Sequence, residues 1–168
     1  MFIDLKDLKS QLIKIEQYSV ETNLSDELLE DLGGRFLEKC KAGLTVERTG
    51  RLYLGNGIAE TKVQLPCSRC LKNSPYLIKT EFTFSLAESI YESEFTEEET
   101  DIMFFHDTRV DIKPIVQEMI LLHLPMRMLC RKDCQGLCVI CGVDKNNEKC
   151  TCKVDEIDPR WEKLKDLQ

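Results

Sequence analysis

Between residues 35 and 86, apolar side chains fall at nearly every second position. Leu52, Leu54, Ile58, Val63 and Leu65 recur through RLYLGNGIAETKVQL, and AGLTVERTG precedes that stretch across a turn at Thr49-Gly50. Such alternation puts one row of side chains on each face of a strand. Asn56-Gly57 tolerates positive φ and predicts a bulge or tight bend. YLIKTEFTFSL (76–86) carries the β-branched and aromatic residues that favour strands. Pro66 and Pro75 bracket CSRCLKNS and predict a turn between two strands.

Outside this region the period changes. MFIDLKDL alternates and predicts a short strand. SDELLEDL (25–32) begins with the capping residue Ser25 and ends at Gly33-Gly34, which predicts one or two helical turns or a loop into a strand. DIKPIVQEMILLHL (111–124) predicts the main helix. Asp111 caps it, Pro114 lies in its first turn, and Ile112, Ile115, Val116, Met119 and Ile120 form its apolar stripe. DIMFF predicts a short strand before that helix, and DPRWEKLKDL a short helix closing the chain. The fold class expected is α+β. A curved, mainly antiparallel sheet or barrel-like core (1–129) would carry one main helix, followed by a cysteine-rich zinc-binding segment and tail (130–168).

Composition narrows the class. The chain has 168 residues, 42% of them hydrophobic and 32% charged, as expected of a soluble globular protein. The most apolar run, IVQEMILLHLPM, is interrupted by Gln117, Glu118 and His123, well short of the roughly 18 residues of a membrane span. The N-terminal residues show no signal-peptide pattern, so a cytoplasmic location is expected. Net charge is −7, but it is unevenly spread. Residues 88–101 hold seven acids and no base, which predicts a mobile loop. Residues 39–79 hold eight bases against Glu47 and Glu60.

The chemistry lies in nine cysteines. In a reducing compartment disulfides are rare, and an odd count leaves a thiol over in any intramolecular scheme. CSRC at 67–70 is half a tetrahedral metal site. The segment 130–152 supplies Cys130, Cys134, Cys138, Cys141, Cys150 and Cys152, and GLCVICG has the form of a zinc knuckle in which Gly142 lets backbone amides fold back toward the sulfurs. Eight cysteines make two sites. The favoured division puts Cys138, Cys141, Cys150 and Cys152 around the VDKNNEK loop, and joins Cys67 and Cys70 to Cys130 and Cys134. A split drawing Cys134 into the C-terminal knuckle stays open, so one or two Zn²⁺ are expected. Cys40 is left as a packed thiol. All-sulfur sites are closed and structural. No G-x-S-x-G, P-loop or H-E-x-x-H occurs, so no enzyme is expected.

GIAETKVQLPCSRCL, DIKPIVQEMILLHLPMRMLC and CQGLCVICGVDKNNEKCTC together resemble the YceD family, the bacterial large ribosomal RNA subunit accumulation proteins. The resemblance runs from about residue 35 to 152. It departs at Val139, where many members have proline. It implies a cytoplasmic, non-enzymatic factor that promotes accumulation or processing of large-subunit ribosomal RNA in ribosome assembly. Its partner would be that RNA or its precursor, or a ribosomal protein or assembly factor. The acidic total conflicts with a basic RNA footprint. The expected footprint is therefore local: Lys62, Arg69, Lys72, Arg127, Arg131 and Lys132. The competing reading is a redox-sensing zinc protein, a chaperone-like switch whose thiols release metal on oxidation.

Overall fold

The computed structural model describes residues 1–95 and 102–152. The second half of the acidic run and the closing helix expected at 158–167 lie outside these residues.

Two long strands, β5 (Leu52–Pro66) and β6 (Asn73–Glu88), pair antiparallel along their whole length, from Leu52↔Ala87 to Pro66↔Asn73. On their inner side the alternation buries Tyr53, Ala59, Val63 and Leu65 against Ile78, Phe82, Phe84 and Leu86. β4 (Cys40–Thr49) flanks the first part of β5, and β3 (Arg35–Phe36) pairs with its last part. β2 (Ile15–Thr22) lies antiparallel to β4 and ends the sheet on that side. β7 (Ile102–Phe105) pairs parallel to β6 at the other side. A separate ribbon joins β1 (Phe2–Asp4) to β8 (Arg109–Asp111).

The expected α+β class holds, with mostly strands and few helices. Among the described residues the six-stranded sheet is open, with order β2-β4-β5-β6-β7 and no pairing of β2 with β7, so the barrel-like alternative is corrected. Its inner face is covered instead. α2 (Lys113–Leu122) buries Val116 and Ile120 there, and the short α1 (Lys6–Lys9) buries Leu8, in one core with the sheet. Helices occupy the face over which a closing sheet would have curled.

Local expectations fare unevenly. Ser25 caps a 3₁₀ helix, Asp26–Leu32, which Gly33 ends in the left-handed conformation at φ 62°. Asp111 ends β8 and is not the cap of α2, which is Ile112 without a side-chain bond, though Asp111 Oδ1 accepts from the Lys113 amide at 2.9 Å. Asn56-Gly57 is no bulge: Gly57 pairs in register with Leu44 and Phe82. A side chain at Gly55 would enter the Phe84 ring, and one at Gly57 would meet Leu44 at 2.4 Å. These glycines leave room for core side chains of neighbouring strands. Pro75 lies inside β6, near its start, rather than outside the strand. The acidic run opens with a 3₁₀ helix, Ser89–Glu94.

Candidate metal centres

The inner row of β5 continues past Leu65 to Cys67, fully buried, so the strand itself aims the first sulfur. The chain then turns back into β6. Cys67 N–H donates to the Lys72 carbonyl at 3.0 Å, and Leu71 N–H donates to the Cys67 carbonyl at 2.9 Å. The second C-x2-C repeats this pattern: Cys138 N–H donates to Val143 O at 2.8 Å and Gly142 N–H to Cys138 O at 2.9 Å. The fifth residue is left-handed in both, Leu71 at φ 61° and Gly142 at φ 75°. The two knuckles are one backbone motif used twice, with glycine at only one of the strained positions.

Each knuckle meets two further cysteines. Cys67, Cys70, Cys130 and Cys134 bring their sulfurs within 4.8 Å of one another, and so do Cys138, Cys141, Cys150 and Cys152. The division favoured by the spacing is the one the fold makes. Within the clusters, Cys67–Cys134 is 3.8 Å, Cys70–Cys130 3.6 Å, Cys141–Cys150 3.5 Å and Cys138–Cys150 3.3 Å. Four sulfurs about 2.3 Å from one ion, placed tetrahedrally, lie about 3.8 Å apart. Both clusters therefore fit a metal ion, whereas a disulfide needs sulfurs about 2.05 Å apart. The first cluster is largely buried, while Cys141 and Cys152 are exposed in the second. Cys40 lies apart in the main core, where burial pushes its thiol up to about 11.

The thiols of each cluster differ in acidity. Burial opposes ionisation of Cys67, but the N–H groups of Cys130, Cys70 and Arg69 outweigh it and bring the thiol down to about 6. The N–H groups of Cys141 and Ile140 bring Cys138 to about 6 as well. Burial and the neighbouring sulfurs push Cys130 up to about 12. The Cys150 and Cys141 sulfurs do the same to Cys152. One anion forms readily in each cluster and then opposes the next, a conflict that a cation resolves.

The two clusters share a seam. Arg69 Nη1 donates to the Cys134 carbonyl at 2.6 Å, and Leu137 N–H donates to Arg69 O at 3.0 Å. Gly136, at φ 74°, passes so close that a Cβ there would lie 3.0 Å from Arg69 O. A groove of about 190 Å³ opens along the seam, where Lys72 and Arg131 meet Ser74, Asp144, Asn146 and Asn147. Asp144 is occupied, accepting from Asn146 N–H at 3.0 Å and from the side-chain amides of Asn146 and Asn147. Of the other expected cations, Arg127 is exposed shortly before Cys130, Lys132 is exposed between Cys130 and Cys134, and Lys62 Nζ lies 3.4 Å from Glu38. Lys41 and Lys79 alternate with Glu21 and Glu60 in one cross-strand row, so these two bases are interleaved with acids. His123 is in neither cluster; its Nδ1 lies 2.9 Å from both Thr80 Oγ1 and Met119 O.

Residues 55–168 match the family described as "Large ribosomal RNA subunit accumulation protein YceD". The chain belongs to the YceD family. An uncharacterized protein of Mycobacterium tuberculosis is 30% identical over 124 residues, 74% of this chain and 59% of that protein. The maize "Large ribosomal RNA subunit accumulation protein YCED homolog 1, chloroplastic" is 31% identical over 134 residues, 63% of this chain and 45% of that protein. The uncharacterized protein YlbN of Bacillus subtilis is 34% identical over 108 residues, 61% and 59% respectively. This YceD chain thus spans between 45 and 59% of the length of these relatives. No solved structure matches it. Among its described residues no helix is long and apolar enough to cross a membrane.

Proposed function

We propose that this protein is a cytoplasmic factor that promotes accumulation of large-subunit ribosomal RNA by binding it, without turnover chemistry. Membership of the YceD family and the name of the maize relative support the RNA as the target. The single structural observation that carries the reading is the polar groove at the seam between the two cysteine clusters, which Lys72 and Arg131 both line, Arg131 lying 3.5 Å from Asp133. On this reading the exposed Arg69, Arg127 and Lys132, and Lys62 further away in sequence, would add phosphate contacts. Phosphate contacts from such cations give affinity without sequence information.

The clusters would hold Zn²⁺, one each. Four thiolates are the usual donor set of a structural zinc and fill all four positions, leaving none for a substrate. The ion would supply cross-linking: it ties the turn between β5 and β6 to segments some 60 and 70 residues further on, holding the cations in place.

The test is complementation in a bacterium lacking its YceD protein, with large-subunit RNA measured relative to small-subunit RNA. The wild type is expected to restore the ratio and a Lys72→Glu/Arg131→Glu variant to fail. Binding of the purified variant to large-subunit precursor RNA should weaken, with a log–log salt slope shallower by about 2. Unchanged complementation and unchanged RNA binding would overturn the reading. Lost complementation with unchanged RNA binding would point to a ribosomal protein as partner instead, and would also overturn it.

A further inference from the structure

One side chain touches the surroundings of both clusters. Asn146 stands in the loop that links Cys141 to Cys150 of the second cluster, yet its own contacts are mostly with the first. Its Nδ2 donates to Cys134 Sγ at 3.5 Å. Its Oδ1 accepts from Gln135 N–H, next to Cys134, at 2.8 Å, and from Arg131 Nη2, next to Cys130, at 2.8 Å. Asp144 Oδ1 holds the Asn146 side chain in that orientation by accepting from its Nδ2. Backbone bonds repeat the connection: Lys145 N–H donates to Gly136 O at 3.0 Å, and Leu137 bridges to Asp144. This loop is fixed in length and direction by the sulfurs at its two ends, since Cys138 and Cys141 precede it and Cys150 and Cys152 follow it.

We propose that Asn146 couples the two metal centres, so that loading either one raises the affinity of the other. The inference rests on the reading that both clusters bind metal. Closing the second centre draws the 142–149 loop into shape and sets Asn146 where its amide reaches Cys134. An N–H···S bond takes up part of the charge on a coordinating thiolate, and the contacts to Gln135 and Arg131 hold the chain between Cys130 and Cys134. In the other direction, a closed first centre fixes the acceptors and donors that Asn146 needs, which removes freedom from the loop before the second ion binds. Coupling between two binding sites is reciprocal by linkage. Asn146 is a positioning residue here, since it is not itself a ligand. Polar groups next to ligands typically change metal affinity by about 10- to 100-fold.

The experiment uses the full chain, stripped of metal and titrated with cobalt(II), whose absorption bands report a four-sulfur site directly. Three backgrounds are compared: the wild type, Cys67→Ser/Cys70→Ser with only the second centre, and Cys138→Ser/Cys141→Ser with only the first. The wild type should take two equivalents. Each isolated centre should bind cobalt about 10-fold or more weaker than the same centre does in the intact protein. Asn146→Ala should leave two equivalents and four-sulfur spectra, and should abolish most of that difference. Asn147→Ala, in the same loop but hydrogen-bonded only to Asp144 through its side chain, should leave the coupling intact. If the isolated centres bind as tightly as in the wild type, or if Asn146→Ala leaves the coupling unchanged, the inference is wrong while metal binding stands. If the wild type takes up neither cobalt nor zinc, the metal reading itself fails and the coupling with it.

Discussion

Leu71 and Gly142 do the same task with different means. Both close a C-x2-C turn at positive φ, but a leucine in that conformation is strained by roughly 1–2 kcal/mol, while a glycine is not. Leu71 is also 66% exposed, so little packing repays the strain. Replacing Leu71 by glycine is expected to keep both metal sites and to shift the thermal midpoint only slightly, because relief of strain is offset by the extra freedom glycine gives the unfolded chain. Leu71→Ile is expected to destabilise by about 1–2 kcal/mol despite its exposure, since a β-branched residue fits that region worst. Calorimetry of the two variants decides between this account and one in which position 71 is an indifferent surface site. At this scale the eight clustered cysteines were legible, because short fixed intervals between cysteines are what a tetrahedral site requires. Asn146 was not. An asparagine in a polar loop carries no period, and only the fold reveals which sulfur it faces.

Strands were legible where apolar residues recur over a long stretch. β5 and β6 bury mainly apolar inner rows interrupted by Thr61 and Thr80, although Leu54 and Ile58, part of the alternation read in β5, lie on its exposed face. β2 turns Glu16, Tyr18, Val20 and Thr22 toward the core side, all only half-buried, with Ile15, Gln17, Ser19 and Glu21 exposed. With a glutamate inside and an isoleucine outside, its alternation hardly rises above background, and only pairing with β4 makes it a strand. β7 was expected as a strand, but four residues cannot show that it runs parallel to its neighbour. The glycines of β5 were visible, but their reason lay on the neighbouring strands, in Phe84 for Gly55 and in Leu44 and Phe82 for Gly57, the two rings stacking with centroids 6.0 Å apart. Gly55→Ala is therefore expected to destabilise by about 1–3 kcal/mol, as overpacking does in a filled core. Adding Phe84→Leu should recover part of that loss in denaturant unfolding. If Gly55→Ala is neutral, the ring is not held where the packing places it.

At the scale of the whole molecule the described residues form two apolar assemblies of different kind. The main core joins the sheet, both helices and the β1–β8 ribbon, while Cys67, Cys70 and Cys134 gather with Leu129, Cys130 and Leu137 in a second. The first rests on aliphatic and aromatic burial, and the second on sulfur. Chelation should separate them. Amide exchange after metal removal is expected to accelerate at Leu71, Cys138 and Gly142, whose bonds define the knuckles, and at Leu137, whose bond to Arg69 joins the clusters, and to stay slow at the centre of β4 and β5. Uniform acceleration across the sheet would show that the cysteines hold up the entire fold. Resemblance of motifs carried the family correctly, because those motifs hold the clustered cysteines together with the strand and the helix that lead into them. The open edges of the sheet had no such signature, since closure depends on what covers the inner face.

The continuity between the inner row of β5 and Cys67 has a consequence for how the chain reaches this structure. Successive residues of a strand point to opposite sides, so a slip of one position between β5 and β6 would turn that sulfur outward and leave its cluster with three. Ion capture would then proofread the pairing of the longest ladder in the molecule: only the properly aligned hairpin can complete the site, and a misaligned one stays free to unzip and try again.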